Sequence, residues 1–199
     1  MKTFFSIIII AGIIYFGWQA IQTKPSETIP QALVTDTVTL PVDEVASDIE
    51  VAPSAVLFDN QNIKVGFTGF GPGKEHVGTL MVQSADLVID ETIGVRGTVV
   101  VDMKSITADV PAVATHLKAK DFFDAEKFPI AQLAVESVKD TTLTGKLTIK
   151  GVTKQITIPI VKSDVAYSTE FRINMKDFGI IQKFANEEFV VRVNVPLKK

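Results

Sequence analysis

The 199-residue chain contains no cysteine. Disulfides, thiolate metal sites, cysteine nucleophiles and a lipidated N-terminal cysteine are therefore excluded together. The redox compartment is left open, because a cysteine-free domain is stable in either. Histidine is nearly as scarce, with His76 and His116 far apart in sequence. Zinc sites take three or four ligands, so these two point to surface or polar-rim roles. The formal net charge is -3, with no basic excess and no interleaved basic–aromatic patch. A nucleic-acid partner is not expected. Internal repeats are absent, and so is any Ser-His-Asp arrangement.

Other short motifs also fall away. "GFGPGK" lacks the phosphate-loop spacing, since Thr68 stands where a glycine belongs and Glu75 follows Lys74. It reads as a tight hairpin connection. Asp177–Gly179 spells DFG without kinase context and reads as a turn with Phe178 tucked in. Glu187 and Glu188 are adjacent, and on a strand they face opposite ways, which does not suit paired-carboxylate chemistry. No enzyme is expected.

What is present is apolar and patterned. Hydrophobic residues make up 46% of the chain. Lys2 precedes a run from Phe4 to Ile21, long enough for a helix of about 27 Å, nearly a bilayer. The residues before Gly17 and Ala20 do not resemble a cleavage site. Residues 1–21 thus read as a signal-anchor helix, with a cleaved signal peptide as the alternative, and either exports the remainder of the chain. Residues 22–53 hold Pro25, Pro30, Pro41 and Pro53 without a lasting period. They read as a flexible, disordered linker with a reach on the order of 30 Å.

Residues 54–199 read as one all-β domain. Leu143, Gly145, Leu147 and Ile149 alternate with Thr144, Lys146, Thr148 and Lys150. Ile156, Ile158 and Ile160 repeat the pattern, as do Val165, Tyr167, Phe171, Ile173 and Met175, and then Phe189, Val191, Val193 and Val195. Period two over such lengths means half-buried antiparallel strands. Earlier strands are expected at 63–70, 78–90, 94–104 and 130–138. A phase change between Val82 and Leu87 points to a bulge. Hairpin turns are expected at "KDTT", "KGVTK" and "KSDV". About eight strands result, which a sandwich or a barrel would satisfy; the barrel also removes exposed edges.

"DVPAVATHLKAKDFF" breaks the pattern. Asp109 is a candidate N-cap and Pro111 a good first-turn residue, so one short helix is expected, with Val113 and Leu117 on its apolar stripe. Phe122, Phe123 and Phe128 cluster before Pro129. They read either as core plugging one barrel end or as a hydrophobic gate. Gly97, Gly145 and Ala131 on inward faces would leave room inside.

"HLKAKDFFDAEKFP", "LTGKLTIKGVTKQITIPI", "INMKDFGI" and "VVRVNVPL" resemble, in order, segments of the YceI-like family, and "FTGFGPGKEHVGTL" resembles its first hairpin. The resemblance covers Val56 to Leu197. It implies an eight-stranded antiparallel lipocalin-like barrel, periplasmic, whose interior holds an isoprenoid quinone or polyprenyl phosphate. With residues 1–21 as anchor, tethering to the inner membrane is expected. Two departures are Met175, where an Arg is common, and Lys150, where a His is common. The expected tail contacts are Phe67, Leu117, Phe122, Phe123, Phe128, Leu133, Phe171 and Phe178. His116 and Lys150 are the candidate head-group contacts. The expected function is non-enzymatic binding, sequestration or transport of the lipid, with no cofactor beyond it. The alternative is a membrane-tethered interaction module with a filled barrel and an unidentified protein partner. A lipid hydrolase or isomerase on the same fold is a third reading. Both monomer and homodimer are compatible with the alternation.

Overall fold

Alternating side chains force strands whose apolar faces must find one another, and here they curl one sheet around a shared interior. The structure, a computed structural model, describes residues 23–36, 58–90, 94–182 and 186–198. Its strands are β1 (Leu33–Asp36), β2 (Lys64–Gly71), β3 (Lys74–Ala85), β4 (Val88–Asp90), β5 (Gly94–Ala108), β6 (Ile130–Lys139), β7 (Thr142–Ile149), β8 (Val152–Pro159), β9 (Val161–Lys162), β10 (Ala166–Asn174) and β11 (Glu188–Pro196). The helix α1 spans Pro111–Lys118, and a 3-10 turn spans Met175–Phe178. The sheet runs β1-β8-β7-β6-β5-β3-β2-β11-β10-β9, with β4 on β5, and its ladders are antiparallel.

This corrects the expected closed eight-stranded barrel. The sheet has 11 strands among the described residues and is open, ending in β1 and β9. Pro159 is the physical reason. It has no N–H to donate to a ladder, and it sits where β8 ends. Beyond Ile160 the chain turns to β10 through two register pairs only, Lys162 with Tyr167 and Val161 with Ser168. No ladder joins β8 to β10 among the described residues; the Pro159 carbonyl instead accepts the Thr169 hydroxyl at 2.6 Å.

A second correction concerns the expected disordered linker. Its described part, 23–36, is fixed on the sheet, and β1 pairs with β8 over Leu33↔Thr157 to Asp36↔Lys154. Ala32 and Val34, two residues apart, turn inward to the core. Proline-rich composition hid this short alternation. The rest of the expected linker, residue 22 and residues 37–53, lies outside the described residues.

A third concerns the membrane. α1 has eight residues, and no helix among the described residues is long and apolar enough to cross a membrane. No described helix supports the expected transmembrane anchor or the inner-membrane tethering drawn from it. The expected helix at 1–21 lies outside the described residues.

Local chemistry explains the remaining elements. The hairpin between β7 and β8 turns on Lys150 and Gly151, both at positive φ (50° and 76°), the two-residue geometry that matches sheet twist. β3 changes register between Thr79 and Met81 and again between Val82 and Ser84, and the strand breaks at Asp86–Leu87. α1 starts on Pro111, but its N-cap is Val110 and no side chain caps it. Asp109 is engaged elsewhere: its carboxylate pairs with the His76 ring at 2.9 Å and the Lys74 ammonium at 3.3 Å. Leu117 and Ala114 bury the helix's inner face.

Gly145 does not enlarge the interior as its strand phase implied. A Cβ there would lie 2.3 Å from the Ala134 carbonyl oxygen, so the missing methyl admits the β6 backbone. Gly97 likewise faces the Asp86 carbonyl, 2.6 Å from where its Cβ would be.

Candidate ligand-binding cavity

Inward residues of nearly every long strand line one elongated hollow of about 170 Å³. A water needs only roughly 10–15 Å³ of such space, so this is far larger than a packing defect. At the end covered by α1 the lining includes Phe123, Ile149, Met175 and Phe189. The middle is formed by Val99, Leu133, Leu147, Ile156, Ile158 and Phe171. The opposite end is formed by Phe58, Leu87, Val95, Tyr167 and Val195. The polar side chains in the lining are Gln132, Tyr167, Ser168 and Thr169. Among the described residues, no Asp, Glu, Lys, Arg or His contributes to it.

Aromatic packing shapes the α1 end. The Phe189 ring lies 5.8 Å from Phe67, 5.8 Å from Phe122 and 6.3 Å from Phe123, centroid to centroid. Phe122 and Phe123 meet edge-to-face at 4.8 Å. Offset and edge-on ring pairs at these separations are the favoured geometries and contribute beyond area burial. The result is an aromatic stopper drawn from three elements: β2, β11 and the turn after α1.

The expected site residues separate into three groups. Phe67, Phe123, Leu133 and Phe171 line the hollow. Leu117, Phe122 and Phe178 are buried but lie outside its lining. Phe128 is half-buried, covers Gly151, and carries the Lys127 ammonium 5.0 Å from its ring centre. His116 is half-exposed, with its ring edge-on to Phe122 at 5.6 Å and its Nδ1 4.0 Å from the Asp121 carboxylate. Lys150 sits on the β7–β8 turn, and its ammonium donates to the Lys120 carbonyl at 3.4 Å. Neither His116 nor Lys150 reaches the lining.

Reasoning from sequence did not nominate Phe189, Tyr167, Met175 or Phe58. The first three stood on correctly phased inward faces, so the alternation contained the signal. Phe58 is held by an isolated bridge to Leu197, which no local pattern announces. Met175, one of the two departures from the family pattern, is buried and places a thioether where a cation would have charged the wall.

The titratable cluster of the rim is separate from the hollow. The His76 hydrogen bond holds the Asp109 carboxyl below the usual carboxylate range; desolvation opposes it, and Lys74 adds to it. Among the described residues no group of acids and histidines could hold a metal ion.

Residues 57–198 match the YceI-like domain. The YceI protein of Escherichia coli O17:K52:H18 is 29% identical over 125 residues, 56% of this chain and 63% of that protein. A UPF0312 protein of Shewanella denitrificans is 37% identical over 82 residues, covering 33% of this chain and 42% of its own length. The chain thus spans under two thirds of the length of these curated relatives. Among solved structures, BcnA of Burkholderia cenocepacia superposes with a TM-score of 0.51 at 18% identity, covering 69% of this chain and 96% of BcnA. A Saccharophagus degradans domain, described as polyisoprenoid-binding and implicated in plant cell wall breakdown, superposes at 0.56 and 12% identity, covering 72% and 98%. At these identities the superpositions speak to the fold. With the domain match covering the sheet from Phe58 to Leu197, the chain belongs to the YceI-like family.

Proposed function

We propose that the chain binds an isoprenoid lipid non-covalently in this hollow, and sequesters or carries it without acting on it chemically. The observation that carries the proposal is the hollow itself: apolar along its length and, among the described residues, free of charged side chains. Each methylene-sized group moved from water into such a wall gains about 0.8 kcal/mol. Several five-carbon units therefore supply ample gross driving force, reduced by the cost of ordering the chain. The Saccharophagus domain's description as polyisoprenoid-binding supports the same ligand class.

In this reading Phe67, Phe123, Leu133 and Phe171 touch the tail. Leu117, Phe122 and Phe178 hold those residues in place from behind. The uncharged wall favours a quinone-type head over a polyprenyl phosphate, because a buried phosphate without a cation is strongly penalised. His116 and Lys150 would meet only a head that projects beyond the α1 end.

Solvent extraction of purified protein, followed by mass analysis of the extract, tests this. The expected result is one prenyl lipid per chain. Repeatedly empty extracts from protein that also takes up no prenyl lipid on titration would sink the proposal and favour the filled interaction module.

A further inference from the structure

We infer that residues Thr23–Asp36 form a removable strap closing the slot through which the ligand passes; the inference rests on the lipid-binding reading. The strap lies outside residues 57–198, the part matching the family domain, so it is an addition to that domain. It begins at the β2–β3 turn, where the Thr23 hydroxyl lies 2.9 Å from the Gly71 carbonyl and 3.1 Å from that of Lys74. It then reaches β10. There the Ala32 N–H donates to the Arg172 carbonyl, the Arg172 N–H to the Pro30 carbonyl (both 2.8 Å), and the Arg172 Nε–H to the Ile29 carbonyl at 2.9 Å. It continues as β1 along β8.

The strap therefore occupies the backbone groups left free where β8 and β10 fail to pair. Ala32 and Val34 point into the core at this seam, while Leu33 is 63% exposed. Neither Ala32 nor Val34 belongs to the cavity lining, but the walls on either side of them do: Ile156 and Ile158 on β8, Phe171 and Ile173 on β10. Lifting the strap would expose a slot between those four side chains, opening sideways into the hollow. The other long strands meet in ladders of six or more register pairs, those of β3 with β5 and of β6 with β7 interrupted by register shifts. β1 holds β8 by four. The α1 end is closed by buried aromatic rings. Unpairing a segment held by four register pairs on β8 and through the single residue Arg172 on β10 disrupts less of the fold than opening any of these.

A cross-link in a chain that has no other cysteine tests the strap. Thr35→Cys with Gln155→Cys places the two residues directly opposite in register, a separation a disulfide can bridge. The protein is loaded with geranylgeraniol, and transfer to phosphatidylcholine vesicles is timed. Oxidation should slow transfer at least about ten-fold without changing the amount bound at equilibrium, and reduction should restore it; ten-fold in rate corresponds to about 1.4 kcal/mol of barrier. Val34→Asp, which puts a charge on the strap's inner face, should speed transfer. Equal rates in the oxidised and reduced forms, or unchanged transfer by Val34→Asp, would overturn the strap while leaving lipid binding intact. Absence of geranylgeraniol uptake by the wild-type and reduced proteins would overturn the lipid reading, and the strap with it.

Discussion

The Lys154 ammonium donates a hydrogen bond to the Asp36 carboxylate and, with its charge, holds that carboxyl below the usual range; His76, then Lys74, do the same for Asp109. Both acids have a lower pKa folded than unfolded. Their contribution is thus fully present above the unfolded-state value of about 3.9 and is lost as pH falls through the folded values. Both pairs are solvent-exposed, so the effect is small. Thermal melts should show stability level from pH 7 to 5 and declining below about pH 4. Asp109→Asn should flatten part of that decline, and an unchanged decline would remove this cluster as a cause. A second residue-scale prediction concerns the hollow. Ala131 is a small side chain in the lining, and Ala131→Phe should fill space with the protein's own ring. Bound geranylgeraniol should drop at least about ten-fold with near-native stability, since a volume-filling apolar change into a hollow avoids the usual overpacking cost of about 1–3 kcal/mol. The phase of these positions was legible in the sequence. The partners of Asp109 were not: the His76 contact joins residues 33 apart, and local helix grammar assigned the acid to a cap.

At the scale of elements, alternation located the long strands and turn chemistry located their hairpins. α1 also appears where Pro111 placed its start. Its anchorage is Leu117, 4% exposed against the core. Leu117→Ala should therefore cost about 2–5 kcal/mol, read as a lower urea midpoint at unchanged slope; a shift under about 0.5 kcal/mol would mean that the helix is not a structural plug. Gly145→Val should cost at least about 1–3 kcal/mol, because its side chain would meet the Ala134 carbonyl of the neighbouring strand. Strand phase alone misread that glycine, since period two gives the face of a residue but not how near the next backbone runs. β1 was missed for a related reason. Its signal is one inward residue, Val34, with Ala32 just before the strand, inside a proline-rich stretch, and its order derives from long-range pairing with β8 and, through Ala32, with Arg172.

For the whole molecule, the sheet's apolar interior was readable from the strand faces, while its closure was not. Counting strands predicts a ring; Pro159 and the short β9 leave it open, and a segment from outside the matched domain lies along the gap. Nor does alternation distinguish a solid centre from a hollow one, because both require the same inward residues. That difference depends on the summed volume of side chains against the sheet's curvature. Native mass spectrometry of the purified full chain measures it most directly. The wild-type protein incubated with geranylgeraniol should show a population heavier by one ligand mass, and Ala131→Phe under the same conditions should show almost none. Equal occupancy in the two proteins would place the ligand elsewhere, and no adduct in the wild type would mean that the hollow does not receive a prenyl chain.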